Sequence, residues 1–176
     1  MAGVYRGMVD DAQALLDNSH ADMWVVQKDT LGPYAEPSSL PEDSKRPIAA
    51  MRGVAQAAGV TYLTMQIAHN GDDVRVMVVG ADLSEPGMPG QPTHLVAGRH
   101  IVRSHYEAVA DVKTGFALGD RVQVRRNVYT IVGLTSRMVS SGGDPMLFLS
   151  LKDAQAAQFQ RDSDSIVRQR ARTNAN

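Results

Sequence analysis

Hydrophobic and polar positions alternate along several stretches of this chain, and the clearest of them predict two β-hairpins. From Val60 to Ala68 apolar side chains fall on alternate positions, and Val74 to Val79 follows as an apolar stretch after the pair Asn70-Gly71. Alternation with a period of two is typical of half-buried strands, and Asn-Gly favours the positive φ angles of a two-residue turn. These residues therefore predict an antiparallel pair of strands.

The second hairpin is predicted between Ala117 and Leu134. Valines alternate with polar residues in its first half, and the stretch from Val128 to Leu134 is richer in β-branched residues. That enrichment favours a more deeply buried returning strand. We expect the turn at Arg126-Asn127, because Asn tolerates the positive φ that a tight turn needs.

Helical spacing predicts helices near both ends of the chain. The apolar residues from Val4 to Asn18 form a thin stripe, which fits a partly exposed, stalk-like helix. Ser150 and Asp153 have the spacing of a capping box, with Asp in place of the usual Glu. Residues from Leu151 to about Arg161 should therefore be helical, directly after a short strand from Met146 to Leu149.

The order of the predicted elements gives an α+β fold. Before the first hairpin, Ala21 to Lys28 is predicted to be a short strand. A crossover helix is expected to open at Pro41, to be interrupted at Pro47 and to pack on one face of the sheet. The stretch from Leu83 to Pro92 is rich in proline and glycine, which predicts a boundary between two subdomains in modest contact.

Composition narrows the range of functions without naming one. The 176 residues carry a net charge of −1, which gives no electrostatic reason to expect a nucleic-acid partner. The absence of cysteine excludes a disulfide framework, Cys-ligated zinc and thiol catalysis. No apolar run approaches the roughly 18–20 residues that span a bilayer, and the first residues lack a signal-peptide pattern. A cytosolic protein and an excised domain share these features.

Histidines and carboxylates between residues 94 and 111 are the candidate for metal chemistry. His94, His100, His105, Glu107 and Asp111 are of the types that bind catalytic zinc, but their spacing does not match the His-Glu-x-x-His pattern. A freestanding metal-dependent hydrolase or small-molecule-binding protein that uses this region is therefore the alternative function. Nucleophile-elbow and phosphate-binding glycine motifs are absent from the sequence.

The arginines of the second hairpin are a candidate anion site. Arg121, Arg125 and Arg126 lie close together in sequence. Acidic residues are equally frequent in the whole chain, so the solvated face of a hairpin is the favoured interpretation of this cluster.

Three segments, taken in order, carry a resemblance to a known family. The first is Val-Asp-Asp-Ala near the start followed by Ala21-Asp-Met-Trp-Val-Val-Gln-Lys-Asp, and the second is Leu95-Val-Ala-Gly-Arg-His. The third is Gly-Phe-Ala-Leu-Gly-Asp-Arg-Val-Gln-Val, then Tyr129-Thr-Ile-Val-Gly-Leu, a glycine loop and Met146-Leu-Phe-Leu-Ser-Leu-Lys-Asp-Ala. Together they resemble the MacB-like periplasmic core domain of FtsX-like ABC transporter permeases, in particular the branch of the heterocyst-type exporter permeases.

The resemblance implies a domain of the bacterial inner (cytoplasmic) membrane that lies on the periplasmic or extracellular side. Residues 1–20 would be a stalk-like helix that follows a transmembrane helix absent from this sequence. Residues 21–82 would form a porter-like strand-helix-strand-strand portion, which the family normally completes with a further segment. Residues 83–158 would form an inserted, sabre-like mixed α/β portion, and residues 159–176 a polar C-terminal tail.

The resemblance also implies function and partners. Such a domain is not an enzyme and needs no cofactor, and it couples cytoplasmic ATP hydrolysis to export or to a periplasmic partner. The expected partners are an ABC ATPase subunit, a periplasmic adaptor or membrane fusion protein, and a second permease copy in a homodimer.

The glycine loop after the second hairpin is the candidate partner-binding site. It consists of Met138, Val139, Ser140, Ser141, Gly142 and Gly143. No strand pattern predicts burial of its apolar pair, and an exposed methionine suits adaptable contacts on a loop. The alternative is that Met138 and Val139 fold back to cap the edge of the sheet.

Overall fold

A single mixed β-sheet holds most of the described residues together. The structure is a computed structural model, and it describes residues 21–30, 38–83, 88–140 and 142–160. The strands within these ranges are β1 (Val60–His69), β2 (Asp72–Ala81), β3 (Leu95–Gly98), β4 (Glu107–Asp111), β5 (Arg121–Val124), β6 (Asn127–Thr135) and β7 (Met146–Ser150). Their order is β1-β2-β7-β4-β6-β3, and β5 pairs with β6.

Helical structure is sparse in the same ranges. A 3-10 turn at Glu42–Ser44 leads into α1 (Lys45–Ala49), and a second 3-10 turn, Val112–Thr114, follows β4. Residues 151–160 form α2. Nowhere in the described part of the chain does a helix have the length and hydrophobicity to cross a membrane. A mixed sheet with few helices confirms the predicted α+β class.

Both predicted hairpins are confirmed. Between β1 and β2, Asn70 and Gly71 adopt φ angles of 52° and 94°, as the Asn-Gly pair predicts. The second turn lies at Arg125-Arg126, so the predicted position was wrong by one residue, and Arg125 adopts a φ of 58°. The register explains the shift, because pairing Val122 with Tyr129 keeps both side chains buried.

The two faces of the sheet carry separate hydrophobic clusters. A large cluster covers one face, which we call the inner face. Every strand except β3 contributes to this cluster, as does α2, and its members include Val78, Ile131 and Leu149. The outer face is defined by a smaller cluster that includes Val109 and Phe148. Every residue of β4 and β7 is buried, because these central strands have both faces covered.

The sheet curls around its inner face. Strand β1, at one end, contacts β5 at the other. The imidazole Nε2 of His69 lies 3.5 Å from Oδ2 of Asp120, and its ring packs edge-on against Phe116 with centroids 4.8 Å apart. The curl encloses the larger hydrophobic cluster.

Helix α2 closes the inner face. Its predicted start is confirmed, because the backbone N–H of Asp153 donates to Oγ of Ser150 at 3.2 Å. Ala154 and Ala157 are buried in the inner cluster. A Cβ atom at Gly80 of β2 would overlap Cβ of Ala154, so glycine is needed for this close approach.

Two predicted elements near the start of the chain were wrong. Residues 21–30 form no strand, and the side chain of Met23 is 81% exposed, because this segment does not pair with the sheet. Helix α1 has only five residues, none of them buried, so it cannot serve as the crossover helix. Pro47 lies within its first turn, where a missing N–H costs nothing. The expected stalk helix at 1–20 lies outside the described residues, as does the tail beyond residue 160.

The prediction that the segments before and after the proline-rich stretch make only modest contact was wrong. Strand β7 pairs in parallel with β2 over five residues and in the antiparallel sense with β4, so segments from both sides of residue 83 share one sheet. The assignment of residues 21–82 and 83–158 as porter-like and sabre-like portions stays a prediction.

Replacing Gly80 with alanine should destabilise the fold. The added methyl group overlaps Ala154, so α2 must move off the sheet, and we expect a loss of about 1–3 kcal/mol in the free energy of unfolding. Denaturant unfolding followed by circular dichroism measures it. Gly142→Ala is the matched control, because the atoms nearest to its added methyl group are 3.7 Å away. Equal stability of the two variants would contradict the close packing of α2 on β2.

Candidate functional site

The predicted contact loop is folded into the protein rather than presented on it. Met138 and Val139 are 2% and 4% exposed, and Met138 belongs to the outer hydrophobic cluster. Ser140 is also buried, Gly142 and Gly143 are exposed, and Ser141 lies outside the described residues. The structure thus shows the alternative arrangement, in which the apolar pair caps the sheet. Partner binding by this loop stays a prediction, and in this fold the pair is not available for it.

A buried carboxylate explains why the loop turns inward. Asp111, at the end of β4, is fully buried, and its Oδ2 accepts a hydrogen bond from the backbone N–H of Met138 at 2.7 Å. Its Oδ1 accepts from the N–H of Lys113 at 2.8 Å, which caps the second 3-10 turn. Because a buried carboxylate needs such donors, Asp111 fixes the loop against the sheet.

The five candidate metal ligands between residues 94 and 111 do not assemble into a site. Among the described residues, no group of three or more His, Asp or Glu side chains is arranged to hold a metal ion. Asp111 is occupied by backbone N–H groups, Glu107 by arginine and His105 by Asp153. The imidazoles of His94 and His100 belong to exposed residues. The metal-dependent alternative therefore gains no support from this region.

The structure instead shows a rigid, exposed loop, residues 99–106, which we call the clamped loop. All of its residues are exposed except Ile101, which packs against the outer hydrophobic cluster. Arg99 makes a two-pronged ion pair with Glu107, at 2.9 Å from Nη1 to Oε2 and 2.6 Å from Nη2 to Oε1. The backbone N–H groups of Val102 and Arg103 donate to Oε2 at 3.0 Å and 3.1 Å. One carboxylate thus fixes the first half of the loop.

The electrostatics of Glu107 match this geometry. Its side chain is only 6% exposed, and the hydrogen bonds from Arg99 lower the pKa of Glu107 to about 2, against the opposing effect of burial. The N–H groups of Val102 and Arg103 lower it further. The same pairing raises the pKa of Arg99. Both groups therefore keep their charges at neutral pH.

A second carboxylate fixes the other half of the clamped loop. Oδ1 of Asp153 lies 2.6 Å from Nδ1 of His105, and Oδ2 accepts from the backbone N–H of Tyr106 at 3.3 Å. Tyr106 adopts a φ of 64°, which is uncommon for a bulky residue and costs free energy. Its carbonyl oxygen accepts from the N–H of Thr130 at 2.9 Å, so both sides of the strained residue are held.

Below this strained residue lies a buried tyrosine. Tyr129 is fully buried, with its ring centroid 6.1 Å from that of Tyr106. Burial, and next the charge of Asp153, raise the pKa of Tyr129 to about 12. Its hydroxyl is therefore protonated at neutral pH, and the group serves packing. The site as a whole holds exposed side chains in fixed positions.

The pairing of Asp153 with His105 was not predicted, because the two residues are 48 positions apart. A weak signal was present in the capping box. Asp replaces the usual Glu there, and its side chain bonds the clamped loop instead of returning to the N–H of Ser150. The pairing of Arg99 with Glu107 was also missed.

Comparison with known proteins identifies one matching family and two similar structures. The family model of the MacB-like periplasmic core domain matches residues 1–175. The extracellular domain of the noncanonic ABC-type transporter YknZ from Gram-positive bacteria has a TM-score of 0.51 and 12% identity, covering 76% of this chain and 73% of that chain. A domain of a putative permease protein from Porphyromonas gingivalis has a TM-score of 0.45 and 19% identity, covering 60% and 51%. No curated protein matches this chain.

Introducing a charge at Met138 should cost much of the stability. Aspartate at this 2% exposed position is buried beside apolar side chains, so we expect the free energy of unfolding of Met138→Asp to fall by about 3 kcal/mol or more. Val102→Asp is the control, because that side chain is 79% exposed and should change stability by less than about 0.5 kcal/mol. An unchanged melting temperature for Met138→Asp would show that the loop opens.

Replacing Glu107 with glutamine should change how stability depends on pH. A carboxyl group whose pKa drops from 4.5 to about 2 on folding stabilises the protein fully above pH 4.5 and loses that effect as pH falls towards 2. At pH 7 we expect Glu107→Gln to be on the order of 2 kcal/mol less stable than the wild type. The difference should shrink between pH 4.5 and 2. Denaturant unfolding across that range measures it.

The exposed Glu42 provides the control for this experiment. Glu42→Gln should match the wild type across the pH range, since Glu42 forms no ion pair with another residue that the structure describes. A difference between Glu107→Gln and the wild type that stays constant down to pH 2 would contradict the role of the Glu107 charge.

Proposed function

We propose, because this chain belongs to the MacB-like periplasmic core domain family, that it is the extracytoplasmic domain of an ABC transporter permease. In this proposal it couples ATP hydrolysis by a cytoplasmic ABC subunit to export or to a partner outside the inner membrane. The observation that carries it is the family match, which spans residues 1–175 and so includes the whole described fold. Membership of the heterocyst-type exporter branch stays a prediction.

The fold supports a mechanical role. Strand β7 lies between β2 and β4, so the first hairpin and the later strands form one hydrogen-bonded body. Helix α2 begins directly after β7 and also binds the clamped loop through Asp153. Because packed interiors deform little, a displacement applied to α2 is passed on to the sheet and the loop.

The polar groups of the fold support a non-catalytic role. The buried carboxylates of Glu107, Asp111 and Asp153 are all engaged in hydrogen bonds that hold backbone segments in place. A general acid or base must instead reach a substrate. We therefore propose no covalent chemistry for this domain, and we propose an adaptor or membrane fusion protein and a second permease copy as its partners.

The proposal is tested by the side of the membrane on which Val102 lies. This chain has no cysteine, so Val102→Cys in the intact permease provides a reactive thiol at a 79% exposed position. We expect a membrane-impermeant maleimide to label it in intact cells whose outer envelope has been permeabilised. Native cysteines elsewhere in the permease are first replaced. Val78→Cys, which is fully buried, should react only after denaturation.

The same variant tests coupling when it carries a spin label. Two permease copies place two labels in one complex, and the distance between them should change between the nucleotide-free and the vanadate-trapped states. Labelling of Val102→Cys only after cell lysis would contradict the extracytoplasmic location. A distance that does not depend on nucleotide would contradict coupling.

A further inference from the structure

The clamped loop and the outer surface of strands β5 and β6 together carry an arginine patch, which we define as Arg99, Arg103, Arg121, Gln123, Val128 and Thr130. The register brings the sheet residues together, because Arg121 pairs with Thr130 and Gln123 with Val128. On the other side of β6, Thr130 pairs with Glu107 of β4. All six patch residues are exposed.

The charge of the patch differs from that of the whole chain. Three of the patch residues are arginines, and the nearby carboxylate of Glu107 is already engaged by Arg99. Arg103 approaches the same carboxylate only through Nε, at 3.7 Å, and its side chain is 82% exposed. Most of its side chain is therefore accessible to a partner. The three patch arginines and the neighbouring Glu107 together carry a net charge of +2, whereas the chain has a net charge of −1.

The patch is also held rigid before any partner arrives. Glu107 fixes the backbone at Val102 and Arg103, and the β5–β6 hairpin fixes the opposite side. A binding surface whose backbone is already ordered loses less conformational entropy on association. Arginine is enriched among residues that dominate interface energies, and the side chain of Val128 adds apolar contact.

We propose that the arginine patch docks an acidic segment of a partner protein outside the membrane. In this arrangement carboxylates of the partner pair with Arg103 and Arg121, while Val128 packs against a neighbouring apolar side chain of the partner. The proposal rests on the proposed function, because only an extracytoplasmic domain meets such a partner on that side. It goes further by naming the chemistry of the partner and the surface that recognises it.

A protein partner fits the patch better than a membrane surface. Guanidinium groups match planar carboxylates with two parallel hydrogen bonds, as Arg99 already does with Glu107. Surfaces that insert into lipid present tryptophan, phenylalanine or leucine, and the patch contains none of them. Its only apolar member, Val128, is 39% exposed.

The test measures binding of the full chain to defined probes by fluorescence anisotropy. The probes are a fluorescein-labelled peptide of five Glu-Val repeats, the matching Gln-Val peptide, and vesicles of phosphatidylcholine with phosphatidylglycerol. We expect the Glu-Val peptide alone to bind. Arg103→Glu with Arg121→Glu should weaken it at least about tenfold, and higher salt should weaken it in the wild type.

The control is an equal change of charge elsewhere on the surface. Arg46→Glu with Arg52→Glu reverses two exposed arginines outside the patch and should change the affinity less than about twofold. Equal loss in both double variants would overturn the proposal, since it would show attraction to the overall charge. Binding of the vesicles alone, or of neither peptide, would also overturn it. Circular dichroism melting must show that all variants fold.

The outcome of this binding experiment can be distinguished from the outcome of the labelling experiment that tests the proposed function. If Val102→Cys is labelled in intact cells but the Glu-Val peptide does not bind, the location stands and the patch is wrong. If the peptide binds the patch but labelling requires lysis, the acidic ligand stands and the extracytoplasmic function is wrong.

Discussion

A carboxylate cannot be buried without hydrogen-bond donors, and strand β4 buries one at each of its ends. Glu107 takes its donors from the chain before β4, and Asp111 takes its donors from the chain after it, including Met138 beyond the second hairpin. Strand β4 therefore determines the course of the loops at both of its ends. The exposed clamped loop and the buried apolar pair of the glycine loop are two consequences of the same requirement.

Local patterns predicted the local structure well. The Asn70-Gly71 turn, the strand from Met146 to Leu149 and the start of α2 at Ser150 were all marked by nearby residues, and the structure has them. The order of the strands carried no such signal. Strand β7 pairs with β2 and β4, which are both distant from it in sequence. Only the burial of both faces of β7 accounts for its position between them.

The functional surface was harder to predict because its determinants are distant side chains. Two arrangements of Met138 and Val139 were left open, exposed for a partner or folded back on the sheet, since nothing near them in sequence decides between these. The residue that holds the loop, Asp111, lies 27 positions before Met138. The hairpin arginines were noted, yet only the pairing of β5 and β4 with β6 brings Arg121 into one row with Glu107, the partner of Arg99 and Arg103. Such proximity follows from sheet register, which depends on turn geometry and on burial across several strands.

The central place of β7 has a consequence for how the chain folds. The hairpins β1–β2 and β5–β6 involve neighbouring segments and can form within microseconds, on the order of the time known for isolated hairpins. The middle of the sheet must wait for β7, which is the last of the described strands to leave the ribosome. Until then β2 and β4 have no strand between them, and their unpaired edges are open to wrong partners. Late completion of a central strand therefore favours slow folding and a need for protection of the nascent chain.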